Sequence, residues 1–242
     1  MGLLRFLVKR VFLLFSRVCE RVFWNEKTFD KFVRTWLDLS THLHKPKIRP
    51  KTLLLIRLDA LGDYVLFRNF LKPIRESYKD YEITFLCNSA NLEIFNAYDT
   101  DCVDKLYPIS TQRWLGSKWR FLYRFYHLYR LHQKSYEICI NPTFTRFSMK
   151  EDLIMQAMHA LHKIGSYGEM LSWCWKESAP TLQHNDKVYT TLLKASPDLL
   201  FEFERNREFC AQLLNKNLDS VRLHMDLPSS PPSLRSHMGC FS

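Results

Sequence analysis

Short, almost wholly apolar runs bounded by turn signals restrict the fold of this chain more than any other feature. Residues 52–56, 83–87 and 136–140 form such runs, and residues 103–109 are a weaker candidate for another. Runs of this length and composition are typical of strands that are buried on both faces, as in a parallel sheet.

Two helical segments lie between these runs. The first has an apolar stripe from Leu66 to Ile74, and the second, from about Trp114 to Gln133, mixes aromatic with basic residues. Pro73 removes one backbone hydrogen bond, so we expect the first helix to be kinked or short there. Strands that alternate with helices at this spacing predict the α/β class, with a doubly wound parallel sheet.

Three loops follow the carboxyl ends of the predicted strands, where ligands bind in open parallel sheets. They are residues 58–63, 88–91 and 141–146. In the first loop, Gly62 permits a ligand to approach the backbone closely, and the free amides at the start of the following helix favour anions. Asp63 either caps this helix or faces the crevice as a general base, and the residue types alone favour the cap.

The basic charge of the chain is concentrated at its N-terminus. The net charge is +10, and residues 1–50 hold eleven Lys and Arg against four Asp and Glu. Cations interrupt an apolar stripe between residues 3 and 22, so no uncharged run there is long enough to span a membrane. Two interpretations remain: an amphipathic helix on an anionic membrane surface, or a helix packed on the protein itself.

These patterns divide the chain into three parts. Residues 1–46 form a basic, amphipathic helical segment, which includes a second predicted helix at about 26–42 and ends in a proline-containing linker. Residues 47–216 form the α/β domain and end in a predicted helix at 199–215. Residues 217–242 lack a periodic pattern and are predicted to be disordered.

Metal and nucleic-acid sites are disfavoured. The chain has seven cysteines without a CxxC motif, and several lie inside apolar runs, which is typical of reduced, buried thiols; we therefore predict no metal site. The second helix has the aromatic and basic composition of a nucleic-acid surface. Aromatic residues at helical spacing more commonly form a core face, however, so we expect no nucleic-acid partner.

Four segments resemble the family 9 glycosyltransferases of bacteria, in the family's order. The run LLLIRLDALGDYVL at 53–66 resembles its opening motif, in which a strand, a basic residue and a turn lead to Gly-Asp and a helix. YEITFL at 81–86 resembles the second strand, DCVDKL at 101–106 the entry to the third, and KSYEICIN at 134–141 a later strand. Together the resemblance covers about residues 48–215.

The resemblance implies a GT-B fold, in which two Rossmann-like domains face each other across a cleft; this chain would supply the N-terminal, acceptor-side domain. It also implies an enzyme, a glycosyltransferase of the heptosyltransferase type. Such an enzyme transfers a sugar from a nucleotide-sugar such as ADP-heptose to the lipopolysaccharide core or a similar lipid-linked glycan acceptor. The donor is a substrate, and no cofactor is implied. Asp63 would be the catalytic base that deprotonates the acceptor hydroxyl.

The loops at the predicted crevice supply further candidates. The substrate-binding candidates are Gly62, Arg57, Asn88, Asn141 and Arg146. The two arginines would either contact phosphate or carboxylate groups of the acceptor or be surface cations. The resemblance and the basic N-terminus together predict a cytoplasmic enzyme, peripheral on the inner face of the inner membrane, with residues 1–46 on the anionic membrane surface.

The resemblance covers only one half of a two-domain arrangement. Because no glycine-rich phosphate-binding motif occurs in the chain, we expect it to be truncated, to lack the donor domain and to have little activity alone. A separate C-terminal donor domain would then be a partner. The alternative is a non-catalytic, membrane-associated module that retains only the acceptor-side fold.

Overall fold

The computed structural model describes residues 31–37, 39, 46–116, 120–146, 148–168 and 185–224. The amphipathic stripe predicted between residues 3 and 22 and the last part of the predicted tail, residues 225–242, lie outside the described residues.

Six parallel strands form a single sheet in the described part of the chain. They are β1 (Thr52–Arg57), β2 (Glu82–Asn88), β3 (Lys105–Ile109), β4 (Ser135–Asn141), β5 (His159–Tyr167) and β6 (Thr191–Lys194). Their order is β3-β2-β1-β4-β5-β6, and each neighbouring pair is parallel. The order reverses between β1 and β4, so a crevice opens at the carboxyl ends of these two strands. The predicted α/β class and doubly wound parallel sheet are confirmed.

Helices cover both faces of this sheet. They are α1 (residues 31–37), α2 (Leu61–Arg68), α3 (Leu71–Ser77), α4 (Leu92–Tyr98), α5 (Thr111–Gly116), α6 (Arg120–His132), α7 (Leu153–Ala157) and α8 (Glu202–Leu214). Helices α1, α5, α6 and α7 contribute to the core on one face, and α2, α3, α4 and α8 to the core on the other. The central strand needs apolar residues on both sides for this reason: Leu54 and Ile56 enter the first core, and Leu53 and Leu55 the second.

Pro73 divides the first predicted helix into two. Helix α2 ends at Arg68 and α3 begins at Leu71, so Pro73 lies in the first turn of α3, where its missing N–H costs least. The side-chain amide of Asn69 donates to the carbonyl oxygens of Val65 (2.9 Å) and Leu66 (3.3 Å) at the end of α2.

The described part of the N-terminal helical segment packs on the α/β domain. Val33 and Leu37 of α1 are 0% and 1% exposed and belong to the core. The rings of Trp36 and Phe125 lie 5.0 Å apart between centroids. Helix α1, which belongs to the helix predicted at about 26–42, therefore shares the core of the α/β domain, although the predicted boundary at residue 46 separates them.

The predicted tail also differs from the structure. Leu218 is 6% exposed and lies in the core, and the backbone N–H of His224 donates to the side-chain oxygen of Asn69 at 2.9 Å. The carbonyl oxygen of Val221 accepts a hydrogen bond from Arg207 at 2.9 Å. Residues 217–224 are therefore packed on the domain, because Leu218 supplies an apolar anchor that the surrounding polar sequence conceals.

Two strands were not predicted. His159 and His162 lie on β5, where His159 pairs with Ser135 and His162 with Ile138 of β4. The β5 sequence has little apolar periodicity, so its backbone pairing with β4 decides its conformation. Strand β6 has four residues with partly buried and exposed side chains, too short a signal to predict.

Two features are absent from the described residues. None of the helices there is both long and apolar enough to cross a membrane. In the same residues, no group of three or more His, Cys, Asp or Glu side chains is positioned to hold a metal ion.

Gly165 on β5 gives a test of this packing. A Cβ there would lie 2.4 Å from Cε1 of Tyr189, whose ring is buried and whose hydroxyl is hydrogen-bonded to Asn141 and Asp152. We expect Gly165→Ala to lower the free energy of unfolding by about 1–3 kcal/mol, because the pinned ring cannot move without losing these bonds. Urea denaturation measures the change. As a control, Gly116→Ala, whose Cβ meets no atom within 4 Å, should stay within about 0.5 kcal/mol of the parent. Equal losses in both variants would contradict the packing described for Tyr189.

Candidate active site

A buried arginine occupies the carboxyl end of the central strand. Arg57, the last residue of β1, is 1% exposed, and its Nη2 donates to Oε1 of Glu202 in the first turn of α8 at 2.6 Å. Its Nε is in ion-pair contact with Asp59, and its guanidinium carbon lies 4.8 Å from the ring centroid of Phe67. Burial alone acts to lower the pKa of Arg57, but the carboxylates of Asp59, Glu202 and Asp63 raise it, so the arginine is firmly cationic.

The loop after β1 is held by amides from the end of β2. The backbone carbonyl oxygen of Asp59 accepts hydrogen bonds from the side-chain amides of Asn88 at 3.1 Å and Asn91 at 3.3 Å. Asn88 also accepts a hydrogen bond from the N–H of Ala90, which begins the short helix Ser89–Asn91. These bonds fix the loop so that the Asp59 carboxylate faces Arg57.

A lysine and a buried glutamate approach the same loop from the segment before α7. The Lys150 ammonium lies 2.5 Å from Oε1 of Glu151 and 3.9 Å from Oδ1 of Asp59. Glu151 is 0% exposed, and burial raises its pKa despite the nearby ammonium of Lys150. Burial opposes the charge of Lys150 as well, but Glu151 and Asp59 raise its pKa overall.

Asp63 is the half-exposed carboxylate of this group. It lies in the first turn of α2, yet neither it nor Ala60 at the N-cap supplies a side-chain cap hydrogen bond. Burial raises the pKa of Asp63 and the Asp59 carboxylate raises it further, whereas Arg57 and Lys150 act to lower it. The favoured interpretation of Asp63 as a helix cap is therefore not what the structure shows: its carboxylate is held near other charges without being bonded to the helix.

The Arg57 cluster, as we name Arg57, Asp59, Asp63, Lys150, Glu151 and Glu202, has more carboxylates than cations. Four carboxylates surround one guanidinium and one ammonium. Burial first, and then the neighbouring carboxylates, raise the pKa values of Asp63, Glu151 and Glu202. A carboxylate with a raised pKa and access to solvent is chemically suited to accept a proton from a bound hydroxyl group.

A second group of polar residues lies at the end of β4. Asn141 is 0% exposed and donates to the hydroxyl of Tyr189 at 2.8 Å, and that hydroxyl donates to Asp152 at 2.6 Å. Arg146 is 4% exposed, forms an ion pair with Asp186, and lies with its guanidinium carbon 4.8 Å from the ring centroid of Tyr189. These contacts join the end of β4 and the loop after it to the segment before β6.

The structure brings the predicted site residues to one edge of the sheet but gives them different surroundings. Arg57, Asn88 and Asn141 are the last residues of β1, β2 and β4. They are buried, as is Arg146, and all four have protein partners, so neither arginine is a surface cation. Gly62 and Asp63 are more open, and a Cβ on Gly62 would meet nothing within 4 Å. Direct substrate contact by these residues stays a prediction.

Four charged members of the cluster were not predicted. Asp59 lies in the predicted loop 58–63, and an acidic residue so close to Arg57 in the sequence could have indicated an ion pair between them. Lys150 and Glu151 follow the loop after β4 by only a few residues. Glu202, by contrast, lies 145 residues from Arg57 along the chain, and nothing in its local sequence indicates the pairing.

The fold is similar to that of solved glycosyltransferases. Two structures of the E. coli heptosyltransferase WaaC, one with ADP and one with ADP-2-deoxy-2-fluoro heptose, each have a TM-score of 0.50 and 17% sequence identity to this chain. The first match covers 68% of this chain and 48% of WaaC, and the second covers 68% and 49%. A family 9 glycosyl transferase from Veillonella parvula DSM 2008 has a TM-score of 0.50 and 14% identity, with 69% and 42% covered.

At this sequence identity the similarity establishes the fold. The resemblance that the sequence motifs indicated is therefore confirmed for the fold. The chain spans about half the length of the solved structures that it matches. No family model and no curated protein matches the sequence.

The electrostatic coupling within the Arg57 cluster can be tested directly. We expect Asp59→Asn to lower the pKa of Asp63, because it removes a neighbouring negative charge and leaves Arg57 free to stabilise the Asp63 carboxylate. Carboxyl-carbon NMR, with the Asp63 signal assigned by its loss in Asp63→Asn, follows the titration. Asp80→Asn, on a turn away from the cluster, should leave the Asp63 titration unchanged. An unchanged or raised Asp63 pKa in Asp59→Asn would contradict this coupling.

Proposed function

We propose that the chain is the acceptor-side domain of a glycosyltransferase of the heptosyltransferase type. It would act in the transfer of a sugar from a nucleotide-sugar to the lipopolysaccharide core or a similar lipid-linked glycan. The observation that carries the proposal is the position of Asp63: a half-exposed carboxylate beside the switch point of a sheet whose fold is that of WaaC and a family 9 glycosyl transferase. The ADP and ADP-2-deoxy-2-fluoro heptose present with WaaC support a nucleotide-sugar as the donor class.

In this proposal Asp63 is the catalytic base. Its carboxylate takes the proton of the acceptor hydroxyl as that oxygen attacks the anomeric carbon of the sugar. The bond from the anomeric carbon to the diphosphate breaks, and the nucleoside diphosphate leaves from the opposite face, so the anomeric configuration inverts. Two features support Asp63 in this role: its pKa is raised by burial and by Asp59, and the carboxylate has no hydrogen-bond or ion-pair partner in the described residues.

Gly62 would give the acceptor room beside this base. A ligand over the start of α2 would meet open space at Gly62, since even a Cβ there has no neighbour within 4 Å. Arg57 would then act indirectly: its ion pairs with Asp59 and Glu202 fix the charge beside Asp63 rather than leaving the guanidinium available to the substrate. We assign the nucleotide to a donor-side domain, which in this proposal is a partner of the chain.

Replacing the base tests the proposal. With a donor-side heptosyltransferase domain supplied in solution, we expect the chain to transfer heptose from ADP-heptose to a lipopolysaccharide-core acceptor, and Asp63→Asn to slow transfer by about 10²- to 10⁴-fold. Release of ADP, corrected for hydrolysis without acceptor, measures the rate. Asp80→Asn should transfer at the parental rate.

The outcomes separate an enzyme from a non-catalytic module. Acceptor binding by calorimetry without transfer under any of these conditions would favour the module that retains only the acceptor-side fold. Turnover by the chain alone would contradict the need for a donor-side partner. If Asp63→Asn and Asp80→Asn had equal rates, Asp63 would not be the base.

For location, we propose that the protein is cytoplasmic and peripheral on the inner face of the inner membrane. The N-terminal stretch has an apolar stripe with cations beside it, the composition of a helix that lies in the interface of an anionic leaflet. A lipid-linked acceptor would make such an anchor useful, because it keeps the enzyme at the surface that holds its substrate.

Charge removal in this stretch tests the anchor. Changing all five of its cations to Gln should weaken binding to phosphatidylglycerol vesicles at least about 100-fold, since each contributes on the order of 1 kcal/mol at an anionic surface. They are Arg5, Lys9, Arg10, Arg17 and Arg21. Vesicle co-sedimentation gives the partition coefficient. A control changes five exposed cations of the domain, namely Lys72, Lys79, Arg113, Lys187 and Arg222. Equal weakening in both variants would argue against an N-terminal anchor.

A further inference from the structure

A second concave surface lies at the amino ends of the strands, opposite the Arg57 cluster. It is a cavity of about 520 Å³, bounded by the linker before β1, the starts of β3 and β4, and the turn after α6. Its principal lining residues are Lys47, Arg49, Lys105, Lys134, Tyr107 and Tyr136. Strand β4 has seven residues, so this cavity lies roughly 20 Å from the carboxyl edge at about 3.3 Å per residue.

Positive charge at this cavity exceeds negative charge. Four cations line it, and Glu82 beside it is shared by two of them: its carboxylate lies 2.8 Å from Arg49 and 2.6 Å from Lys105. Lys47 and Lys134 have no carboxylate partner within the described part of the chain. Cations gathered in a concave surface raise the local concentration of anions, because the low-dielectric walls focus their field.

The charged form of Lys134 is disfavoured by its surroundings in this cavity. It is partly buried, and its ammonium lies 4.9 Å from the ring centroid of Tyr107, a cation–π contact that replaces only part of its hydration. Burial lowers the pKa of Lys134, and Arg130, Arg49 and Lys105 lower it further. The carboxyl end of α6, two residues before Lys134, offsets only about half an elementary charge. The excess of positive charge therefore remains.

The cavity is also shaped before any ligand arrives. Ser135 Oγ donates to the carbonyl oxygen of Lys47 at 2.6 Å, which fixes the linker at the rim. The guanidinium carbon of Arg49 lies 5.8 Å from the ring centroid of Tyr136, which is 2% exposed. Fixed cations above tyrosine rings offer charge-assisted hydrogen bonds to an anion and an apolar wall to the group that carries it.

We propose that this cavity binds a phosphate group of a small molecule or of a lipid headgroup, with Lys47 and Lys134 as its main cationic contacts. Phosphate is the class that fits: it accepts several charge-assisted hydrogen bonds at once and carries the two negative charges that the unpaired lysines would neutralise. The site is independent of the proposed sugar transfer, since it shares no residue with the Arg57 cluster and lies at the other edge of the sheet.

Inorganic pyrophosphate is the probe for the soluble source. In magnesium-free buffer, calorimetry with the full chain should give saturable binding, and Lys47→Gln/Lys134→Gln should weaken it at least tenfold. The matched control, Lys79→Gln/Lys187→Gln, removes two exposed lysines that do not line the cavity and should bind like the parent. In the parent chain, pyrophosphate should shift the backbone amide signals of residues 133–136 in NMR spectra, and this measurement does not depend on any variant folding.

Vesicles are the probe for the lipid source. If the cavity serves a headgroup, Lys47→Gln/Lys134→Gln should weaken binding to phosphatidylglycerol vesicles at least tenfold relative to Lys79→Gln/Lys187→Gln, and phosphatidylcholine vesicles should not distinguish the two. Either a pyrophosphate effect or a vesicle effect confined to the cavity variant supports the proposal and identifies the source. Equal behaviour of both variants with both probes, together with unshifted amides at 133–136, overturns it.

Discussion

The ion pairs of one buried guanidinium hold together the carboxyl edge of this sheet. Arg57 ends the central strand, and its contacts join the loop after β1 to the last helix of the domain, through Asp59 and Glu202. A buried charge of this kind is retained only when its partners stay in place, because losing one partner leaves the other charge unpaired at a cost of several kcal/mol. The positions of the loop and of α8 are therefore coupled, and Asp63 lies where the two meet.

The fold could be predicted where both faces of a strand are buried. Strands β1, β2 and β4 lie in the middle of the sheet, so each contains an apolar run that is visible in the sequence. Strands β5 and β6 lie toward one side of the sheet, where some side chains meet solvent, and their sequences carry no such run. Their conformation follows from hydrogen bonds to the neighbouring strand, which local sequence does not encode. Leu218 could not be predicted as a core residue either, because it is a single apolar residue in a polar stretch.

The candidate site, like the fold, could be predicted from the sequence only in part. Gly62 and Asp63 were found because a turn after a buried strand has a fixed place in a doubly wound sheet. Their electrostatic setting could not be found, since Glu202 is remote in sequence and the approach of Lys150 depends on how the chain turns after β4. Sequence also suggested that Arg57 and Arg146 were available to a ligand. Both are instead buried and ion-paired, because a buried guanidinium must be neutralised by protein groups, whether it ends an interior strand, as Arg57 does, or lies in the loop after β4, as Arg146 does.

Although its ion pairs hold the edge together, the Arg57 cluster also buries carboxylates whose ionisation works against folding, and this cost supports the proposal that the edge is functional. Burial raises the pKa of Glu151, Glu202 and Asp63, so the stability that these groups contribute in their protonated form is lost as pH rises through their folded-state pKa values. An edge selected only for stability would replace one of these carboxylates with a neutral side chain. The three carboxylates with raised pKa around two cations include the half-exposed Asp63 beside the crevice, which is the position that the proposed catalytic base requires.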